Sequence, residues 1–123
     1  MRAAAFSLLM GLAVAFPATA VNWNFLQYGP ANYFTAEDWE LLRQAGRGAL
    51  DQAADGDTRG WNNPDTGAFG TVQPLDTIER DGSICRRTEV YNNAKDASAT
   101  TRFEFCKQPD GTWKIAPREP SGK

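Results

Sequence analysis

The two cysteines of this chain, Cys85 and Cys106, each lie in a run that reads as a strand, and bridging them dictates how those runs pair. Placed opposite each other on neighbouring antiparallel strands, they set Arg87 opposite Glu104 and Glu89 opposite Arg102. Asp81-Gly82, the strongest two-residue hairpin signal in the sequence, separately sets Asp76 opposite Arg87. Three opposite-charge pairs then share one sheet face, each worth a few tenths of a kcal/mol when exposed. The other face carries Leu75, Ile84, Val90, Phe103 and Phe105. Arg86 falls among these apolar residues and is the misfit: it has to emerge at the sheet edge or pair with an acid.

Whether the cysteines are oxidised depends on the compartment, and the N-terminus speaks to that. Arg2 precedes an apolar run over residues 3–16, and Pro17-Ala18-Thr19-Ala20 supplies the small residues of a cleavage site. Residues 1–20 therefore read as a secretory signal peptide, with the mature chain starting near Val21. The alternative, a retained membrane anchor, is disfavoured because the run is shorter than a spanning helix needs and no second apolar segment follows. No cysteine follows Ala20, so a lipid-modified N-terminus is not available there. The expectation is an exported protein, periplasmic or cell-surface associated, with one structural disulfide. Closing a loop of about twenty residues is worth roughly 3 kcal/mol. A redox-active pair would call for C-x-x-C spacing, which is absent.

Without the leader roughly one hundred residues remain, enough for one domain with a modest core. Charge is mixed (15 acidic and 13 basic residues in the full chain) with no basic stripe, which argues against a nucleic-acid partner. Histidine is absent, which removes the commonest general base and zinc ligand and every Ser-His or Cys-His mechanism.

Residues 21–34 form an uncharged aromatic segment containing Trp23, Phe25, Tyr28, Tyr33 and Phe34. A helix over 35–54 follows. Thr35 caps it, Asp38 stands at the third position, and Phe34 with Trp39 makes a hydrophobic staple. Trp39, Leu42, Ala45, Gly46, Ala49, Leu50 and Ala53 recur at helical spacing, and Gly56 is a natural stop. Beyond Gly60 the period becomes two. Strands are predicted over 69–73, 75–80, 83–91, 101–107 and 112–116, with 92–99 a polar loop and 118–123 a flexible tail. The expected fold class is α+β: one N-terminal helix packed on a small antiparallel sheet of four or five strands, residues 35–117 forming the domain.

Several motifs have plainer readings than their spelling suggests. Asp65-Thr66-Gly67 matches the aspartic-protease triplet, but that chemistry needs two carboxylates and no second copy exists, so it reads as a turn. Asp51, Asp55 and Asp57 cluster at the helix end without EF-hand spacing and read as a solvated terminus rather than a calcium site. Carboxylate pairs for glycoside hydrolysis are possible in any chain this acidic, and nothing singles one out. No serine sits on a nucleophile elbow. No catalytic residue, metal ligand or cofactor is assigned. Trp61 and Trp113 serve either as core or, flanked by Asn62, Asn63 and Gln108, as platforms for a sugar or a protein. With Trp23, Phe25 and Tyr28 they make up the candidate binding surface, the partner being an envelope protein or cell-wall glycan. Trp23, Phe25 and Tyr28 lie either along the domain's own helix and sheet or on an adhesive arm.

Trp61, Asn63, Thr66-Gly67, Gly70, Val72, Cys85-Arg86, Cys106-Lys107, Pro109-Asp110-Gly111, Trp113 and Ile115 form a spaced pattern over more than fifty positions. In it the second half of the chain resembles the C-terminal domain of the bacterial seventeen-kilodalton outer-membrane surface antigen family, and the helix resembles the one that precedes this pattern there. The resemblance implies a small α+β domain exported to the cell envelope, with no established enzymatic activity. Members are often lipoproteins with a glycine-zipper segment before the domain. This sequence has the aromatic stretch 21–34 in that place, and neither a lipobox cysteine nor a zipper. The reading is a non-catalytic binding or structural module, with an acid-dependent periplasmic hydrolase or an inhibitor of a cell-wall hydrolase as the alternatives.

Overall fold

The computed structural model describes Trp23 and residues 29–116. Residues 1–20, read from sequence as a signal peptide, Phe25, Tyr28 and residues 118–123, read as a tail, lie outside the described residues. A 3-10 turn, Gly29–Tyr33, leads into helix α1, Ala36–Gln52, and five strands follow: β1 Arg59–Asn62, β2 Phe69–Arg80, β3 Ser83–Ala94, β4 Ala97–Lys107 and β5 Trp113–Ile115. They form one antiparallel meander in chain order. This is the α+β arrangement expected, with the helix on one face.

The start of α1 follows its sequence signals. The Thr35 hydroxyl accepts from the Asp38 amide while the Asp38 carboxylate accepts from the Thr35 amide, a reciprocal capping box. Phe34 and Trp39 meet edge to face at 5.2 Å, closing the staple. Leu42, Ala49 and Leu50 are buried on the sheet. The helix ends at Gln52 rather than 54, and Gly56 follows in the left-handed region at φ 90°.

The strands depart from expectation in three places. Residues 69–73 and 75–80 are one strand, interrupted by a bulge between Pro74 and Asp76. Pro74 is tolerated because β1 has already ended beside it; its carbonyl faces outward and accepts from the Gly56 amide at 2.7 Å. Residues 59–62, not expected as a strand, pair with the start of β2. The polar stretch 92–99 is not a loop: β3 and β4 run through it to a two-residue turn at Lys95-Asp96, both with positive φ. Lys-Asp is not the Asn-Gly or Asp-Gly signature of such a turn, and Asn92 hides a core-facing position behind a polar side chain.

The register set by the disulfide holds. Cys85 faces Cys106 and is bonded to it, Arg87 faces Glu104, Glu89 faces Arg102, and Asp76 faces Arg87. Of the predicted inner face, Val90 and Phe105 are fully buried and Phe103 packs against the core. Ile84 lies at the hairpin end and is exposed, and Leu75 occupies the bulge.

Trp23 lies in the core, as the reading that lays it along the domain expects. Its ring contacts Phe105 at 5.3 Å and covers Gly46, where an added Cβ would lie 2.4 Å from the indole. Gly48, two residues on and on the other side of the helix, has nothing within 4 Å of such an atom. Replacing a mid-helix glycine by alanine ordinarily gains up to about 1 kcal/mol. Gly48→Ala should therefore raise the denaturation midpoint, whereas Gly46→Ala should lower it by displacing Trp23. Equal gains from both would show that Trp23 does not seat on the helix.

Candidate functional site

Arg86 resolves as the residue that docks α1. The β3 register turns it toward the end of the helix, where the last carbonyls carry the negative end of the dipole and where the Ala49 carbonyl already accepts from the C-cap Ala53 amide. Nη1 donates to the carbonyls of Ala49 and Leu50, both at 2.9 Å. Nη2 donates to the Ala53 carbonyl at 2.7 Å and to Asp55 Oδ1 at 2.9 Å, and Nε donates to Thr77 Oγ1 at 3.0 Å. All three nitrogens are engaged and the residue is 7 % exposed. The hydrogen bonds from Arg86 and then Thr77 hold the Asp55 carboxyl below the usual carboxylate range.

Asp38 is the counterpart at the other end and is fully buried. Besides the Thr35 amide it accepts from Asn63 Nδ2 at 2.8 Å and from Thr66 Oγ1 at 2.7 Å, both in the turn between β1 and β2. Burial pushes its carboxyl up, but these hydrogen bonds outweigh that and leave it below its ordinary value. The Asp65-Thr66-Gly67 triplet is thus part of a turn closed by Asn63, whose side-chain oxygen accepts from the Asp65 amide.

Two of the three acids at the helix end have structural partners, and Asp57 is exposed. Asp51 accepts from Trp113 Nε1 at 2.8 Å, and Asp55 belongs to the Arg86 cluster. Among the described residues no group of three or more candidate ligands is placed to hold a metal ion.

The sheet face turned away from α1 is open among the described residues, and the register sorts it into two halves. At the hairpin end Asp76 pairs with Arg87, Glu89 with Arg102 at 3.0 Å, and Glu104 with Arg80 at 3.0 Å rather than with the Arg87 it faces. At the other end two rows carry no charge: Asn62, Phe69, Asn93 and Ser98, then Gly60, Thr71, Tyr91 and Thr100. Phe69 and Tyr91 make a ring contact at 6.2 Å, and Phe69 is 43 % exposed.

Of the residues singled out from sequence, Cys85 and Cys106 form the disulfide. Trp23, Trp61 and Trp113 are all buried: Trp61 meets Phe34 edge to face, and Trp113 is held by Asp51. Their rings fill the core, and the accessible aromatic pair is Phe69 with Tyr91. That pair was hidden because reading 92–99 as a loop left its neighbours Asn93, Ser98 and Thr100 without a place on the face. Asp38 was legible as a capping residue, but its burial under Asn63 and Thr66 depends on a contact between distant segments.

Truncating Arg86 to alanine should cost about 3–5 kcal/mol in denaturant unfolding, because Asp55 and the helix-end carbonyls lose their donor. Arg86→Lys should recover less than half, since one ammonium cannot span the same acceptors. Because Asp38 and Asp55 titrate lower in the folded chain, their stabilisation is complete above the unfolded aspartate pKa of about 3.9 and is lost as pH falls through the depressed folded values. Asp38→Asn should lower stability at neutral pH by about 2 kcal/mol and flatten this acid limb. An unchanged acid limb would remove Asp38 from that role. Replacing both cysteines by alanine should cost about 2–4 kcal/mol.

The residues that bear these contacts also bear the resemblance noted from sequence: Asn63 and Thr66 hold Asp38, Arg86 holds the helix end, and Trp113 reaches Asp51. The model of the family described as 17 kDa outer membrane surface antigen matches residues 48–114, more than half of the chain. The "17 kDa surface antigen" of Rickettsia bellii (strain RML369-C) is 32% identical over 83 residues, covering 64% of this chain and 50% of that protein. The "17 kDa surface antigen" of Rickettsia felis is 32% identical over 82 residues with the same coverage. The chain thus spans about half the length of the curated relatives it matches. No solved structure gives a significant match. On the family match and the disulfide-tied fold that carries it, the chain belongs to the 17 kDa outer membrane surface antigen family.

Proposed function

We propose that this chain is a non-catalytic, exported cell-envelope module that binds another macromolecule through the open face of its sheet. The observation that carries this reading is the division of labour between the two faces. The inner face holds Asp38 and Arg86 with their hydrogen bonds fully engaged in docking the helix. The outer face is left uncovered among the described residues, with polar and aromatic side chains presented on a disulfide-tied sheet. A rigid surface loses little conformational entropy on binding. Family membership supports a surface or envelope location, as does the leader-like sequence of residues 1–20. Among the described residues no helix is long and apolar enough to cross a membrane.

A hydrolase using acids alone needs two carboxyl groups turned to a substrate. Asp38, Asp51, Asp55, Asp76, Glu89 and Glu104 are each bound to a partner within the domain, while Asp57, Asp65 and Asp96 lie exposed in separate turns and loops. The binding reading predicts that purified protein co-sediments with isolated cell envelopes. Thr71→Arg with Thr100→Arg, which crowds the open face without touching the core, should reduce the bound fraction at least several-fold while leaving the melting temperature nearly unchanged. Sedimentation unaffected by that double variant would overturn the assignment of the face. A protein recovered from cells with its N-terminus at Val21 would establish export.

A further inference from the structure

We propose that the uncharged end of the open sheet face is a binding site for a neutral oligosaccharide, with Phe69 and Tyr91 as its stacking platform. The inference rests on the reading of this face as a binding surface and gives it a ligand class. The charges of the face are segregated: all lie in the rows from Glu89 toward the hairpin, where six of them neutralise one another in three pairs and Lys114, opposite Cys106, stands outside those pairs. The rows of Phe69 and Tyr91 hold no ionisable carboxylate or ammonium at all. The polar side-chain groups on these rows are the amides of Asn62 and Asn93 and the hydroxyls of Thr71, Ser98, Thr100 and Tyr91.

Asn62 and Asn93 make no side-chain hydrogen bond to any described residue, although each flanks Phe69 directly across a strand pair. Asn63, one residue from Asn62, behaves differently: it is buried and both its side-chain atoms are engaged. An aromatic pair bordered by amides and hydroxyls, none of them charged, matches the surface of a pyranose. The C–H faces of the sugar stack on rings, and its hydroxyls both donate and accept, which amides and hydroxyls can answer in either sense. The two rings are tilted by 52° at 6.2 Å, so successive sugar units rather than one flat ring would contact both. An acidic glycan finds no cation on these rows. A membrane surface would call for basic or larger apolar groups than one phenylalanine and one tyrosine. Gly60 completes the patch by omission: beside Thr71 it leaves the outer surface flat, with only the Gly70 carbonyl near an added Cβ, at 3.7 Å.

The test is a titration of the isotope-labelled protein, followed by amide and ring resonances. Three probes are used: the tetramer of N-acetylglucosamine, maltotetraose, and polygalacturonate as an acidic comparator. The expected result is a saturable shift of the Asn62 and Asn93 side-chain amides and the Phe69 and Tyr91 rings with at least one neutral tetramer, and none with polygalacturonate. Phe69→Ala and Tyr91→Ala should each weaken that binding about tenfold, as loss of a central aromatic anchor does. Glu89→Gln with Arg102→Gln, one row away, should leave it unchanged. Since Phe69 and Tyr91 lie off the core, the variants should melt within a few degrees of the parent, separating lost binding from lost fold. Shifts confined to other residues, equal response to polygalacturonate, or no shift with either neutral tetramer at millimolar concentration would overturn the proposal. If envelope co-sedimentation persists and a protein partner protects these same rows, the glycan class fails while the binding-module reading stands. If co-sedimentation is also lost, both fail.

Discussion

A single helix laid on a sheet can slide along it and rotate about its axis unless something other than apolar contact holds it. In this domain two buried charges do so, one at each end of α1. Asp38 sits at the positive end of the helix dipole and Arg86 at the negative end, so each is favoured by the field of the helix it anchors. Each is also saturated with partners from elsewhere in the chain: the β1–β2 turn for Asp38, and the last carbonyls with Asp55 and Thr77 for Arg86. A buried charge missing one partner is strongly destabilising, so displacement by a single residue would be opposed at both ends together. Apolar burial supplies the attraction; the two charges select the register.

How much of this could be read from the sequence follows from how local each signal is. The cap at Thr35, the staple of Phe34 on Trp39 and the Asp81-Gly82 hairpin depend on residues within a few positions of one another, and they stand as expected. The strand register was accessible because the disulfide is a long-range constraint written as two letters. Arg86 could be recognised as out of place on an apolar face, yet its acceptors are mostly backbone carbonyls, which no sequence displays. The missed parts of the sheet share a cause. Asn92, Asn93, Ser98 and Thr100 are poor advertisements for strand, and β3 and β4 hold them in one unbroken register that continues from the disulfide end. The candidate face was lost with them, since a face is visible only when every strand crossing it has been placed.

Cys85 and Arg86 are consecutive, and because strand side chains alternate they act on opposite sides of the sheet. Cys85 ties β3 to β4 on the outer side, while Arg86 ties β3 to the helix end on the inner side. The two restraints therefore share one stretch of backbone, and the charged half of the outer face lies next to it. Rigidity at this end needs no help from the exposed ion pairs there, which individually contribute little in water.

The opposite end is organised by the same alternation. Asn63 reaches inward to Asp38, while Asn62, one residue earlier, projects to the outer face; Ala68 is buried within the turn, and Phe69, one residue later, is exposed. The Asn63 amide bonds the Ala68 carbonyl at 2.8 Å, so the turn that brings Thr66 to Asp38 also sets the spacing of Asn62 and Phe69. The buried carboxylate under the helix thus positions, through one closed turn, the amide and the ring that border the uncharged patch. The inner network and the outer face are joined physically at this turn: anything that loosens the hold of Asp38 on Asn63 and Thr66 must also loosen the geometry of that patch, while the disulfide end of the sheet keeps its own restraint.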